Sequence, residues 1–338
     1  MKGASRLGSR RTVLSFVAAL VGLSFVAPAG AQLTIPGNDA VYNSSGNTAL
    51  SPAFIDASIF LPPLGSQATD ICDAIYQILR GNHNFLKNGY PSSGAVIDAR
   101  GVEGTTNLTC TQGSPWTEGN NTVSAPSTIL LPPTPAATPI VIPSTWTLPP
   151  NTHLIGEGEG ILSTGFTLGT TIQAQSGFAG AMISLGLSSG CTPCTGISVQ
   201  NLTLDGQRQS IDGIDNANAQ DLSFVDHAAL YRIRGTGLAV SGTANNSGPY
   251  SNITFDLGGD SGTSSTHCAS INGSNGLTGT HGIHGLSCMS ENNDPPAAVL
   301  LDASNNSIED VKIVGFYDGI LVGCQRARAK QCVGQYYR

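Results

Sequence analysis

"VQNLTLDG", from Val199 to Gly206, sets apolar Val199, Leu202 and Leu204 among polar neighbours, the pattern of a half-buried strand. Much the same phrase returns as "AQDLSFVD" at Ala219, "YSNITFDL" at Tyr250, "IHGLSCMS" at Ile283 and "IEDVKIVG" at Ile308. Each time a small or polar residue (Asn201, Asp221, Asn252, Gly285, Asp310) precedes an apolar, polar, apolar triplet, at intervals of 20, 31, 33 and 25 residues. A second, glycine-flanked strand falls between rungs in "GLAVSG" at Gly237, "AAVLLDAS" at Ala297 and "GILVG" at Gly319. Short strands repeating at this interval, with loops of variable length and no intervening helices, predict a coil of strands rather than a βαβ fold.

The composition agrees. The chain has 42 Gly, 19 Pro and only 11% charged residues, as short strands and tight turns require. In a parallel β-helix each rung stacks on the next, so alternate residues fill one core. Leu202, Leu204, Leu222, Phe224, Ile253, Phe255, Val311 and Ile313 are the expected core positions. The residue before each triplet is expected at a corner, where Asn, Asp or Gly is tolerated.

Outside the repeats, residues 1–31 carry a basic segment, an apolar run from Val13 to Ala27 and the small-residue site Ala29-Gly30-Ala31, and read as a secretory signal peptide. Residues 32–66 read as an irregular leader. Residues 67–338 read as the β-helix domain, which begins with an amphipathic helix in "TDICDAIYQILRGN". There Ile71, Ala74, Ile75, Ile78 and Leu79 share a face, Thr69 or Asp70 serves as N-cap and Gly81 as the stop. Such a helix can cover the open end of the coil. At the other end, either Cys324 and Cys332 close a short basic lid or the sequence is a piece of a longer protein.

The formal net charge is -7, and loss of Lys2, Arg6, Arg10 and Arg11 with the signal peptide takes it to -11. This argues against nucleic acid as a partner. No apolar run after the signal approaches a membrane span. Eight cysteines in an exported chain read as disulfides, falling as the neighbouring couples Cys72 and Cys110, Cys191 and Cys194, Cys268 and Cys288, and Cys324 and Cys332, with connectivity left open. The expected location is extracellular, periplasmic or cell-surface.

The helix "DICDAIYQIL", the following "GAVIDARGVEG" and "VIPSTWTLPPNTHLIGEGEG", and the rungs ending in "NNSIEDVKIVGFYDGILVG" resemble the pectate-lyase-like superfamily of right-handed, single-stranded parallel β-helices. That superfamily holds polysaccharide lyases, glycoside hydrolases, phage tail spikes and adhesins, so the resemblance implies the fold more narrowly than the activity. The paired acids and G-H-G triplet of polygalacturonases are missing: "GTHGIHG" carries His281 and His284 without that triplet. "FVDH" at Phe224 looks like the W-I-D-H of pectate lyases. The resemblance implies Asp226 as a calcium ligand, although the family's following Asp-Gly stands here as Thr236-Gly237.

The expected partner is therefore a polysaccharide. A calcium-assisted lyase is the catalytic reading, and a non-catalytic glycan-binding or adhesive surface protein is the alternative. Arg208, Arg232 and His227 are the candidate catalytic residues, because a lyase needs a group to take the proton alpha to a uronate carboxylate. Asp205, Asp212, Asp215 and Arg234 are the candidate substrate-binding residues. They come from the polar segment "LDGQRQSIDGIDN" and its neighbour "YRIRG", expected to form loops beside a sugar groove. Trp116, Trp146, Tyr231 and Tyr317 are available for stacking on sugar rings.

Overall fold

Ile97, Ile129, Leu154, Val199, Val225, Tyr250 and Ile283 occupy the same register position on seven successive parallel strands, and every one is buried. That column is the recurring phrase made physical. In the computed structural model, residues 54–81, 95–135, 138–160, 169–186, 194–241, 246–258, 267–272, 282–290, 297–302, 307–316, 318–322 and 336–337 are described. The signal peptide, most of the leader, His281, Tyr317, Cys191, Cys324 and Cys332 lie outside them.

The first sheet runs in parallel from Phe54–Asp56 through Ala95–Asp98, Ser127–Leu130, Thr152–Ile155, Ser198–Gln209, Phe224–Ile233, Tyr250–Gly258 and Gly282–Ser290 to Ser307–Glu309. The second sheet carries Trp146–Leu148, Ala181–Leu185, Asp212–Asn216, Leu238–Val240, Ala269–Asn272, Ala297–Asp302 and Asp318–Val322, parallel throughout. From Ser198–Gln209 to Ala297–Asp302 strands of the two sheets alternate along the chain, and each pairs with its counterpart one rung away. This is the architecture of a parallel β-helix. Its second wall has its own buried column, Trp146, Ile183, Ile214, Leu238, Ala269 and Val299. Each fully buried Ile or Leu in these columns stabilises the fold by roughly 1.5–3 kcal/mol relative to exposure.

The corners carry the local logic. Asn201, His227, Asn252 and Asp310 have φ values of 54, 50, 52 and 54°, and Gly285 has 68°, so five successive rungs turn through the left-handed region at one place. Asn, Asp and Gly enter that region at least cost, which explains the small or polar residue before each triplet. The second phrase is the exception. Leu222 is 78% exposed and Phe224 is only half-buried, so neither is the core residue expected. The true register pairs Leu202 with Ala228 and Leu204 with Leu230, which makes "VDHAALYR" the rung and His227 its corner. Leu202, Leu204, Ile253 and Phe255 are buried as expected, while Val311 and Ile313 are half-buried.

The helix spans Ile71–Leu79. Asp70 caps it, its Oδ1 accepting from the Cys72 and Asp73 amides at 2.9 and 3.0 Å, and Gly81 follows it with φ 68°. Only Gln77 escapes burial, so the helix is sunk into the structure rather than laid on it by one face. It packs on the turn Ala57–Phe60 and the Ala95–Asp98 strand. The stretch Phe54–Phe60, within the expected irregular leader, is a strand followed by that 3-10 turn. Cys72–Cys110 and Cys268–Cys288 are disulfides, and Cys194 is disulfide-bonded as well. Such bonds are compatible with export into an oxidising compartment. No helix among the described residues is long and apolar enough to cross a membrane.

Candidate functional site

On the strands Ser198–Gln209, Phe224–Ile233 and Tyr250–Gly258, Asp205, Tyr231 and Asp256 each follow a buried core residue (Leu204, Leu230 and Phe255) and so point to the outer side of the sheet. One outward row holds Gln173, Asp205, Tyr231 and Asp256 in register. A second holds Gln200, Asp226, Ser251, His284 and Glu309. Strands about 4.8 Å apart make each row a ladder of functional groups along the coil.

Glu159 reaches this face from outside the sheet. After Thr152–Ile155 the chain folds over the Ser198–Gln209 strand. Gly156 N–H donates to Gln200 O at 2.9 Å, Gly158 N–H to Asn201 O at 3.0 Å and Gly160 N–H to Thr203 Oγ1 at 2.9 Å. Glycine at 156 is obligatory, because a Cβ there would collide with the Asn201 carbonyl. Glu159 is thereby fixed beside a cleft of about 100 Å³ that it lines with Ala229, Tyr231, Thr254 and Asp256. Its Oε1 is buried without a hydrogen-bond partner among the described residues. Burial pushes the Glu159 carboxyl up, with the Asp226 charge adding to the shift and His227 opposing it.

Asp226 and His227 form a pair at the edge of the same face. His227 Nδ1 lies 2.9 Å from Asp226 Oδ2, and Asp226 Oδ1 accepts from Asn252 Nδ2 at 2.9 Å. The carboxylate orients the ring and leaves Nε2 as the nitrogen for proton exchange.

Asp205 is 2% exposed and holds Arg232 through both oxygens, Oδ1 to Nε at 2.9 Å and Oδ2 to Nη2. Gln173 Nε2 donates to Oδ2 at 3.0 Å, the Gln207 amide to Oδ1 at 3.1 Å, and Gln207 Nε2 also to Oδ2. The Arg232 guanidinium lies 4.9 Å from the centre of the Tyr231 ring. Around this carboxylate Gln207, Arg208 and Arg232 all adopt left-handed φ of 51–58°, where the strand pairing shifts register.

The expected site residues do not stay together. Asp205, Arg232, Asp226 and His227 belong to the outward face of the first sheet, with Arg208 exposed at the end of its strand. Asp212 and Asp215 lie on the second sheet, so the polar segment is two strands and not one projecting loop. Asp212 Oδ1 accepts the Thr236 amide at 2.6 Å, and the Asp215 carboxyl is pushed up by burial first and Asp212 second. Arg234 continues past its strand with its amide on Gln209 O at 3.1 Å. Trp116 and Trp146 are fully buried edge to face at 6.0 Å and cannot meet a sugar. Sequence reasoning missed Glu159 and Asp256. Asp256 was legible as the residue after Phe255 in "YSNITFDL", but nothing in "GEGEG" shows that it folds back over the sheet.

The surroundings of Asp226 do not fit calcium. That ion takes about six to eight oxygens, whereas Asp226 is one carboxylate whose oxygens meet an amide and an imidazole nitrogen. Among the described residues, three potential ligand atoms converge only at Asp70, Cys72 and Cys110, where the two cysteines are bonded to each other.

No family model and no curated protein matches the chain. Among solved structures it is similar to the A-module of mannuronan C-5 epimerase AlgE6 from Azotobacter vinelandii, at 15% identity and a TM-score of 0.23, over 59% of this chain and 67% of that one. It is similar also to the AlgE4 A-module of the same organism, at 12% and 0.30, over 81% and 73%. A third neighbour is ORF18 of Geobacillus virus E2, at 11% and 0.33, over 80% of this chain and 61% of the viral one. These superpositions are too loose to carry an activity to this chain.

Proposed function

We propose that this is an exported polysaccharide-acting protein, a right-handed coil capped by the Ile71–Leu79 helix, whose site is the outer face of the first sheet. The observation that carries the reading is the cleft lined by Glu159, Tyr231 and Asp256, with the Asp226–His227 pair on the same strand as Tyr231. A carboxyl whose hold on its proton is strengthened by burial is suited to give that proton to a glycosidic oxygen, while an imidazole oriented by a carboxylate can take one from water. Tyr231 offers a ring face for a sugar.

A lyase that uses Arg232 as its base fits less well. A guanidinium does not deprotonate in a protein, and this one is held bidentately by Asp205. The test is incubation with a panel of polysaccharides, scoring new reducing ends and, separately, the ultraviolet absorbance of unsaturated uronides. Reducing ends without that absorbance, lost in Glu159→Gln and in His227→Asn, are expected. Absorbance that survives in both variants would overturn the acid–base assignment. Binding without turnover would move the protein to the non-catalytic glycan-binding alternative.

A further inference from the structure

We infer that the cleft is stopped at one end and takes the end of a glycan chain rather than its interior, an inference that rests on reading this face as a site that acts on polysaccharide. The floor of the outer face is a column of residues in register: Thr171, Thr203, Ala229, Thr254, Ser287 and Lys312. Thr203, Ala229, Thr254 and Ser287 each stand between two buried residues of their own strand and so point outward. Exposure rises along the column. Thr171, Thr203 and Ala229 are 3, 0 and 8% exposed, Thr254 and Ser287 are half-buried, and Lys312 is exposed.

The stop is the crossing segment Gly156–Gly160. Gly160 is tied to the floor twice, its N–H donating to Thr203 Oγ1 at 2.9 Å and Thr203 Oγ1 donating to its carbonyl at 3.4 Å. Contacts of that length leave no gap for a sugar between the segment and the sheet. The segment is packed as closely behind: the Gly158 carbonyl accepts the Thr170 amide at 3.0 Å, and a Cβ on Gly169 would collide with that carbonyl. On its other side the cleft opens at once, where Glu159 and Gly160 line it with Ala229 and Thr254. From Ala229 to Lys312 the floor then runs for three steps of about 4.8 Å each, room for a short terminal stretch of glycan. A chain that follows this floor enters over Lys312 and Ser287 and halts against Gly160, which sets its terminal linkages, not its internal ones, beside Glu159.

The experiment follows viscosity and new reducing ends together while the full chain digests galactomannan, xyloglucan, polygalacturonate and alginate, and sizes the first products by chromatography. On a polymer that is cut, reducing ends are expected to accumulate with little loss of viscosity, and the first products to be mono- or disaccharides. Ser287→Tyr, first checked for a wild-type circular dichroism spectrum and melting temperature, fills the floor on the way in and is expected to lower kcat/KM roughly tenfold or more. Rapid loss of viscosity with products of random size would overturn the end-directed mode and leave the polysaccharide-acting reading intact. Undiminished turnover in Ser287→Tyr would overturn the direction of entry, again without touching that reading. No new reducing ends on any polymer would sink the catalytic reading and the inference with it.

Discussion

Asp205 and Arg232, on neighbouring strands of the first sheet, meet fork to fork, with the carboxylate buried and the guanidinium laid against the Tyr231 ring. Asp205→Ala leaves Arg232, Gln173 and Gln207 without their common acceptor and is expected to cost about 2–4 kcal/mol in denaturant unfolding. Arg232→Ala strands a buried carboxylate that keeps only its glutamine donors. In a double-mutant cycle the two losses should fall short of additivity by about 1–3 kcal/mol. Additive losses would show that the pair acts as two independent residues.

His227 separates folding from chemistry. It occupies a left-handed corner whose counterparts one rung away are Asn201 and Asn252. Asn tolerates that conformation well, so His227→Asn should leave the melting temperature unchanged or slightly raised, while His227→Val should cost about 1–2 kcal/mol. Turnover, where a substrate is found, should fall about 10²–10⁴-fold in either variant. A His227→Asn protein that melts far below wild type would mean that the imidazole, not the corner, supports this rung.

The raised Glu159 carboxyl has a definite sign in stability. Folded Glu159 keeps its proton above the ordinary value of 4.5, so between that value and its folded value the native state binds more protons than the unfolded chain. Stability from this group is therefore full below pH 4.5 and declines as pH rises through the folded value. Glu159→Gln lacks that decline. Melting of both proteins from acid to neutral pH should show a difference that shifts in favour of the variant as pH rises above 4.5. A difference independent of pH would place Glu159 in open solvent.

Tyr250 is the polar centre of the core. Its hydroxyl accepts from Asn216 Nδ2 at 2.8 Å and lies 2.7 Å from Ser247 Oγ, and burial pushes its pKa up to about 12. Tyr250→Phe strands both partners and should cost about 1–3 kcal/mol. An ultraviolet titration should show the same number of tyrosines ionising below pH 11 in the wild type and in Tyr250→Phe. That pH is about one unit under the value of 12.

Most of the coil was readable because inward residues must be apolar at every second position, and the left-handed corner admits few residue types. Asn201, Asn252, Gly285 and Asp310 announced their rungs in that way. The same rule misled at Asp221. There "DLSF" imitates the phrase, while the real rung is written with small Ala228 and Ala229 and turns on a histidine. Leu222 itself has φ 62° and is 78% exposed, so Leu222→Gly should stabilise the protein. The site was half legible. Asp226, His227, Asp205 and Arg232 stand in or beside the repeat, whereas Glu159 depends on glycine-permitted backbone contacts that no spacing reports. The separation of Asp212 and Asp215 from Asp205 follows from the strand break at Ser210 and Ile211, which reads in sequence as one polar loop.

The column of left-handed corners also marks where the molecule can be edited. Each corner meets its neighbours through the same backbone conformation, so a segment such as Val225–Pro249 is a self-similar module whose two boundaries match. Tandem duplication of that module should add one storey, about 4.8 Å tall, and with it a second copy of Asp226, His227 and Tyr231. A gene coding for such a coil can therefore lengthen its working face by unequal crossing-over without inventing a new fold.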